Sequence, residues 1–287
     1  MDLLLLLDGS PTLFLTVVGI LGLLVGSFLN VVIHRLPIIM QRNWSHECHA
    51  HLELELPENN GTEKFNLITP ASRCPKCGKR VSALENIPVI SYLFLKGHCS
   101  GCGAAISLRY PAVETVTAGL SVAIALHFGF SIQTLAALGF TWAMVPLFLI
   151  DYDHQILPDT ITLPLLWTGL LLSLFQVFVD SQASIIGAIA GYLSLWIIFH
   201  LFKQVTGKEG MGYGDFKLLG AIGAWVGWQA LPVVILFSSV VGATIGILLI
   251  LFKGRDHSQP MPFGPFLAAA GWMTLLWGND IINLYLH

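Results

Sequence analysis

From Tyr110 to the C-terminus the chain is a succession of apolar runs, each close to the roughly 20 residues needed to cross the hydrocarbon core of a bilayer. Only 11% of the 287 residues are charged while 55% are hydrophobic, a ratio at odds with an ordinary soluble domain. The pattern predicts an all-α polytopic membrane protein. Candidate spans cover residues 11–34, 111–130, 132–150, 160–179, 184–203, 216–230, 231–252 and 263–284, about eight transmembrane helices. The sixth and seventh also admit a reading as one long tilted helix after a short re-entrant piece.

Charge placement orients these spans. No Lys or Arg precedes the first, while Asp2 and Asp8 do, so the basic leader region of a cleavable signal peptide is missing. The first basic residues, Arg35 and Arg42, follow the span, and the bias of Lys and Arg toward the cytosol puts the N-terminus outside. With eight spans, Lys203, Lys208, Lys217, Lys253 and Arg255 all fall in cytosolic segments or at their edges, and Asp180 and Asp280 fall outside. A net charge of −3 suggests no nucleic-acid partner.

Residues 35–110 are more polar and hold nine of the fourteen Lys and Arg residues and all five cysteines. They predict a small cytosolic domain inserted after the first helix. Cys74-Pro75-Lys76-Cys77-Gly78 and Cys99-Ser100-Gly101-Cys102-Gly103 are two similar knuckles, with 21 residues between Cys77 and Cys99. Each glycine permits the tight turn that aims backbone amides at sulfur, and four thiolates complete a closed tetrahedral zinc site. Redox Cys-x-x-Cys pairs come singly and beside a βαβ pattern, so structural zinc held by Cys74, Cys77, Cys99 and Cys102 is the expectation. His46, Cys48, His49 and His51, followed by Glu53, Glu55 and Glu58, offer no spacing that fixes a tetrahedral set and read as a solvated loop.

Two acidic clusters adjoin apolar runs. Gly210-Met211-Gly212-Tyr213-Gly214-Asp215-Phe216-Lys217 sets one carboxylate in a glycine-rich turn, where glycines allow positive φ and close approach to another chain. Asp151-Tyr152-Asp153-His154-Gln155-Ile156-Leu157-Pro158-Asp159 follows another run, and the eight-span topology puts both clusters on the cytosolic side. Two aspartates brought together cannot both ionise, so they share a proton. One then draws a proton from water that attacks a peptide carbonyl, while the other protonates the carbonyl oxygen. That is aspartyl-protease chemistry, with its scissile bond at the cytosolic interface. On a helix Asp151 and Asp153 face nearly opposite sides, so only one can reach Asp215. Asp159, after Pro158 and before an apolar run, reads as an N-cap. An ion- or proton-coupled transporter with a cytosolic zinc module also uses intramembrane carboxylates, but its natural form places them near mid-bilayer and not at span ends.

These motifs resemble the type IV prepilin peptidases, or leader peptidase/N-methyltransferases, of bacteria. The resemblance rests on Gly212-Tyr213-Gly214-Asp215, on Asp151 to Asp159, and on Gly26-Ser27-Phe28-Leu29-Asn30-Val31-Val32-Ile33-His34-Arg35-Leu36-Pro37. It extends to Glu85-Asn86-Ile87-Pro88, Arg109-Tyr110-Pro111 with Glu114, and Pro262-Phe263-Gly264-Pro265, covering nearly the whole chain. It implies an inner-membrane enzyme that cleaves the basic leader of prepilins and pseudopilins after a glycine, on the cytosolic side. It implies further that the enzyme methylates the new N-terminal residue with S-adenosylmethionine and meets its substrates through their N-terminal apolar helix in the lipid bilayer. By the family pattern Asp151 and Asp215 are the catalytic aspartates. The chain then divides into an N-terminal transmembrane helix (1–34), a cytosolic zinc domain linked to methylation (35–110) and a membrane-embedded peptidase domain (111–287). No strand followed by a G-x-G-x-x-G turn is apparent, so no residue is assigned to the methyl donor.

Overall fold

The computed structural model describes residues 3–54, 65–208, 210–253 and 261–286. These are mostly helical, and among them the only β pairing is two isolated bridges. The helices are α1 (Leu3–Gly9), α2 (Pro11–His51), α3 (Ile90–Phe94), α4 (Arg109–Phe128), α5 (Ile132–His154), α6 (Asp159–Ser173), α7 (Ser181–Thr206), α8 (Tyr213–Val226), α9 (Leu231–Lys253) and α10 (Gly264–Leu286). The chain forms two compact units, one up to Leu126 and one from His127 onward.

Among the described residues five helical segments are long and apolar enough to cross a membrane: Pro11–His51, Arg109–Phe128, Ile132–His154, Ser181–Thr206 and Trp228–Phe252. Helices α6 and α8 have 15 and 14 residues. At 1.5 Å per residue they are about 22 and 21 Å long, short of a core about 30 Å thick. The expected span over 160–179 ends early, at Ser173. Residues 216–252 are two helices and not one, because α8 stops at Val226, where Gly227 adopts φ 79° and a 3₁₀ turn (Trp228–Ala230) leads into α9.

The first helix runs well past His34, and with it the expected loop at His46 to His51 becomes its last turns. Between Pro37 and Leu52 no glycine or proline interrupts the chain, and the long polar side chains there tolerate helix as well as they tolerate coil. Cys48 is exposed, and His49 uses Nδ1 on the Ser45 carbonyl at 2.7 Å. Glu55, Glu58, Asp2 and Arg255 lie outside the described residues.

In the N-terminal unit, α2 and α4 meet through small residues. A Cβ on Gly22 would lie 2.7 Å from Ala118 Cα, and one on Gly26 would lie 2.7 Å from Glu114 Cα. Apolar burial gains little between helices in lipid, so close backbone approach and polar bonds carry the association. One turn further on, buried Asn30 donates from Nδ2 to the Tyr110 carbonyl at 3.1 Å.

The C-terminal unit is organised around α7 and α8. A Cβ on Gly187 would sit 2.2 Å from the Gly223 carbonyl oxygen, and one on Gly191 would sit 2.6 Å from that of Leu219. No side chain fits at this crossing. Ser184 donates to the Ala224 carbonyl at 2.6 Å across the same seam. Trp225, buried at the end of α8, donates from Nε1 to the Leu165 carbonyl on α6 at 2.8 Å and lies against Gly169. Helix α10 joins α5 through Trp272 Nε1, which donates to Thr141 Oγ1 at 3.0 Å. Gly223→Val should therefore destabilise the protein by about 3 kcal/mol or more, since the branched side chain meets backbone. Gly139→Ala, at a position where an added Cβ meets nothing within 4 Å, should be nearly silent. Thermal unfolding of both variants in detergent checks this.

Candidate active site and metal centre

Asp151 lies near the C-terminus of α5 and Asp215 in the first turn of α8, and each keeps about one-twentieth of its surface exposed, 5% and 6%. Asp153, two residues further along α5, is exposed, as the 200° separation requires. The α5 helix ends just beyond, where Gln155 takes a left-handed φ of 56° and its amide caps the Asp151 carbonyl at 2.9 Å.

The two carboxylates are held from different directions. Asp151 Oδ2 accepts from the Gly264 amide at the start of α10, at 3.0 Å, and a Cβ on Gly264 would come within 2.6 Å of that oxygen. The Pro262-Phe263-Gly264-Pro265 segment thus supplies a backbone donor, a role that side-chain motifs do not reveal. Asp215 follows the N-cap Gly212, whose carbonyl accepts its amide at 3.2 Å, and Asp151 is close enough to act on it electrostatically.

Leu157 is the wedge between these parts. A Cβ on Gly214 would lie 2.8 Å from Leu157 Cβ, and one on Gly264 would lie 3.2 Å from Leu157 Cδ1. The same side chain therefore rests against the residue before Asp215 and against the donor to Asp151. The glycines of the turn serve close approach and not unusual backbone: neither Gly212 nor Gly214 has a positive φ. Beneath the turn, Tyr213 stacks on Phe199 and Phe216 with ring centroids 5.3 and 5.4 Å apart, and fully buried Phe216 meets Tyr192 at 5.9 Å.

Asp159 is not an N-cap. Pro158 holds that position with no side-chain cap bond, and Asp159 is the first helical residue. Its two oxygens instead receive the Lys217 ammonium at 2.8 and 2.7 Å.

In the N-terminal unit the four paired cysteines converge. Their sulfurs lie within 4.8 Å of one another, with Cys74 and Cys102 at 3.8 Å and Cys77 and Cys99 at 4.0 Å. A tetrahedron of thiolates with metal–sulfur bonds of about 2.3 Å has edges of about 3.8 Å, so the set fits zinc. Among the described residues no other group of three or more His, Cys, Asp or Glu side chains gathers in this way, the His46 to His51 set included. The knuckles repeat one another: Gly78 and Gly103 adopt φ of 71° and 68°, and their amides bond the Cys74 and Cys99 carbonyls at 2.9 Å. The Cys77 and Lys76 amides aimed at Cys74 lower its thiol to about 6. Cys102 is pushed up to about 11 by the crowd of neighbouring thiols, although the Ala104 amide acts the other way. A dication resolves this crowding by taking all four as thiolates.

Glu85, from the segment between the knuckles, braces them. It accepts from Ser100, from the Ser82 amide at 2.9 Å and from Lys79 at 3.2 Å, and Lys79 also donates to Ser100 at 2.6 Å. These donors, Ser100 foremost, lower its carboxyl from 4.5 to about 2. The bracing is therefore fully present above pH 4.5 and lost only as pH falls through about 2. Four residues on, Val89 takes a φ of 58°, strained for a β-branched residue, and its amide donates to buried Glu114 on α4 at 2.7 Å. Purified protein should contain about one zinc per chain by metal analysis, and Cys74→Ser with Cys99→Ser should abolish it; unchanged metal would sink this assignment.

The Bacterial Peptidase A24 N-terminal domain matches residues 20–128, and the Type IV leader peptidase family matches residues 137–247. The chain is 54% identical to the prepilin leader peptidase/N-methyltransferase of Aeromonas salmonicida over 98% of this chain and 97% of that one. It is 53% identical to the protein of the same name from Pseudomonas aeruginosa over 100% and 98%, and 44% identical to that from Legionella pneumophila over 98% and 97%. No solved structure matches. With family matches over both units and this identity across nearly its full length, the chain belongs to the prepilin leader peptidase/N-methyltransferase family.

Proposed function

We propose that the chain removes the leader of type IV prepilins and pseudopilins after a glycine, at the cytosolic face of the bacterial inner membrane, with Asp151 and Asp215 as its catalytic pair. The observation that carries this reading is the burial of these two aspartates, from different helices, around one wedge, Leu157. Two buried carboxylates suit the sharing of one proton. One carboxylate takes a proton from water as its oxygen attacks the scissile carbonyl, and the other donates its proton to the carbonyl oxygen. The tetrahedral intermediate then collapses: its C–N bond breaks and the new amine of the mature pilin takes up a proton. The Gly264 amide orients Asp151 throughout.

The same chain methylates that amine. S-adenosylmethionine supplies the methyl group as a sulfonium, and the amine loses a proton as the N–C bond forms. The cytosolic domain, 35–110, held together by one structural zinc on Cys74, Cys77, Cys99 and Cys102, belongs to this second step, and the peptidase domain covers 111–287. The chain crosses the bilayer eight times with its N-terminus outside. Helices α6 and α8 are the two short crossings, and their shortness suits a site that opens at the cytosolic interface.

Asp151→Asn and Asp215→Asn should each abolish leader removal, read as the mass of a purified prepilin, while Asp153→Asn should retain it. Asn is nearly isosteric but moves no proton. Both inactive variants should still methylate a pilin supplied without its leader. Wild-type cleavage should fall at both ends of the pH range, with the two limbs belonging to the pair and not to either residue. Loss with Asp153→Asn but not with Asp151→Asn would exchange the partner.

A Lys208→Cys protein in intact cells should resist an impermeant thiol reagent and react once the cells are permeabilised. Labelling from outside would overturn the topology.

A further inference from the structure

Beside the two aspartates lies an ion pair that the chemistry does not use. Lys217 sits two residues after Asp215, on the next part of the same first turns of α8, and Asp159 opens α6, two residues after Leu157. The ammonium bridges both carboxylate oxygens of Asp159 at 2.7 and 2.8 Å, across 58 residues of chain. The pair is partly exposed, its side chains keeping 33% and 51% of their surface, and such pairs add little to stability. Its geometry matters more. It ties α8 to α6 two residues beyond Asp215, while Leu157, two residues before Asp159, lies against Gly214 and Gly264.

We infer that Asp159, Lys217 and Leu157 form a clamp that sets the position of the Asp215 carboxyl relative to Asp151, making them positioning residues for leader removal. The clamp rests on the reading of Asp151 and Asp215 as the catalytic pair. The first turn of α8 follows a glycine-rich stretch in which Tyr213, packed against Phe199 and Phe216, is the one side chain next to Asp215. Along the turn, Gly212 and Gly214 contribute no side chains and Tyr213 is half exposed. Lys217 adds a tie there, its one ammonium reaching both oxygens of Asp159, and Leu157 fills the space against Gly214. Displacement of a catalytic group by about 1 Å lowers turnover by about a hundredfold while leaving the binding of the rest of the substrate unchanged.

Steady-state cleavage of a prepilin by the full-length protein in detergent or nanodiscs tests this. Lys217→Gln and Asp159→Asn should each lower kcat by about ten- to a hundredfold with KM nearly unchanged, and methylation of a leaderless pilin should stay at the wild-type rate. Lys217→Arg, which keeps a cationic donor, and the exchanged pair Asp159→Lys with Lys217→Asp should recover most of the lost kcat. Leu157→Ala should act in the same direction and Leu157→Met should not. Asp215→Asn, run alongside, separates the two levels of the reading: wild-type-like cleavage by it would overturn the catalytic pair and the clamp together. Loss of cleavage in Asp215→Asn combined with wild-type kcat in Lys217→Gln would overturn the clamp alone. A fall of cleavage and methylation together in Lys217→Gln, with no recovery in Lys217→Arg, would show a folding defect and likewise overturn it.

Discussion

The crossing of α7 and α8, where glycine backbones come into contact, is the constraint from which the C-terminal unit follows. Lipid offers no hydrophobic drive for helices to associate, so the seam depends on dispersion between close backbones and on a few bonds such as that from Ser184 to the Ala224 carbonyl. Gly187 and Gly191 on one helix and Gly220 and Gly223 on the other leave no room for a Cβ, so the helices cannot slide or rotate without clash or void. That rigidity compensates for the shortness of α8. A 14-residue helix is thus held along its length and by Trp225 at its far end, while its first turn, which carries Asp215, takes a further tie from Lys217 to Asp159.

The site itself is an assembly of helix ends. Asp151 closes α5, Asp215 opens α8, Gly264 opens α10, and Leu157 belongs to the connection between α5 and α6. Helix ends are where backbone donors and acceptors are left without partners, and so where a buried carboxylate finds an amide without needing a side chain. They also lie where a bilayer gives way to water, which a hydrolytic reaction on a membrane-anchored peptide requires. Both facts suit a candidate site built from helix ends and not from mid-helix positions.

The N-terminal unit solves a different problem. Residues 65–108 contain one five-residue helix, one 3₁₀ turn and two isolated bridges, too little regular structure to bury a core. Four sulfurs at tetrahedral spacing, braced by Glu85, Lys79 and Ser100, take the place of that core. Glu114 carries the order onward. Its carboxylate accepts from the amide of strained Val89, so the segment between the knuckles is tied to α4.

The amino-acid sequence by itself determined the helical membrane class, the four-cysteine cluster and the placing of Asp151 and Asp153 on opposite sides of one helix, while the structure showed that Asp151 is the buried one. Each depends on composition or on local spacing: apolar run length, repeated C-x-x-C-G, and the 100° turn per residue. It also marked Gly214, Glu114 and the Pro262 to Pro265 segment as motifs, but not what they touch. Only the tertiary structure decided that Gly264 donates to Asp151, that Leu157 separates Gly214 from Gly264, and that Asp159 binds Lys217 and does not cap α6. It alone ended α6 at Ser173 and carried α2 through His51. The reason is physical. A backbone donor has no residue type to announce it, and a close approach depends on which helix arrives from elsewhere. Helix ends in polar sequence, for their part, follow from packing and capping more than from the weak preferences of the residues themselves.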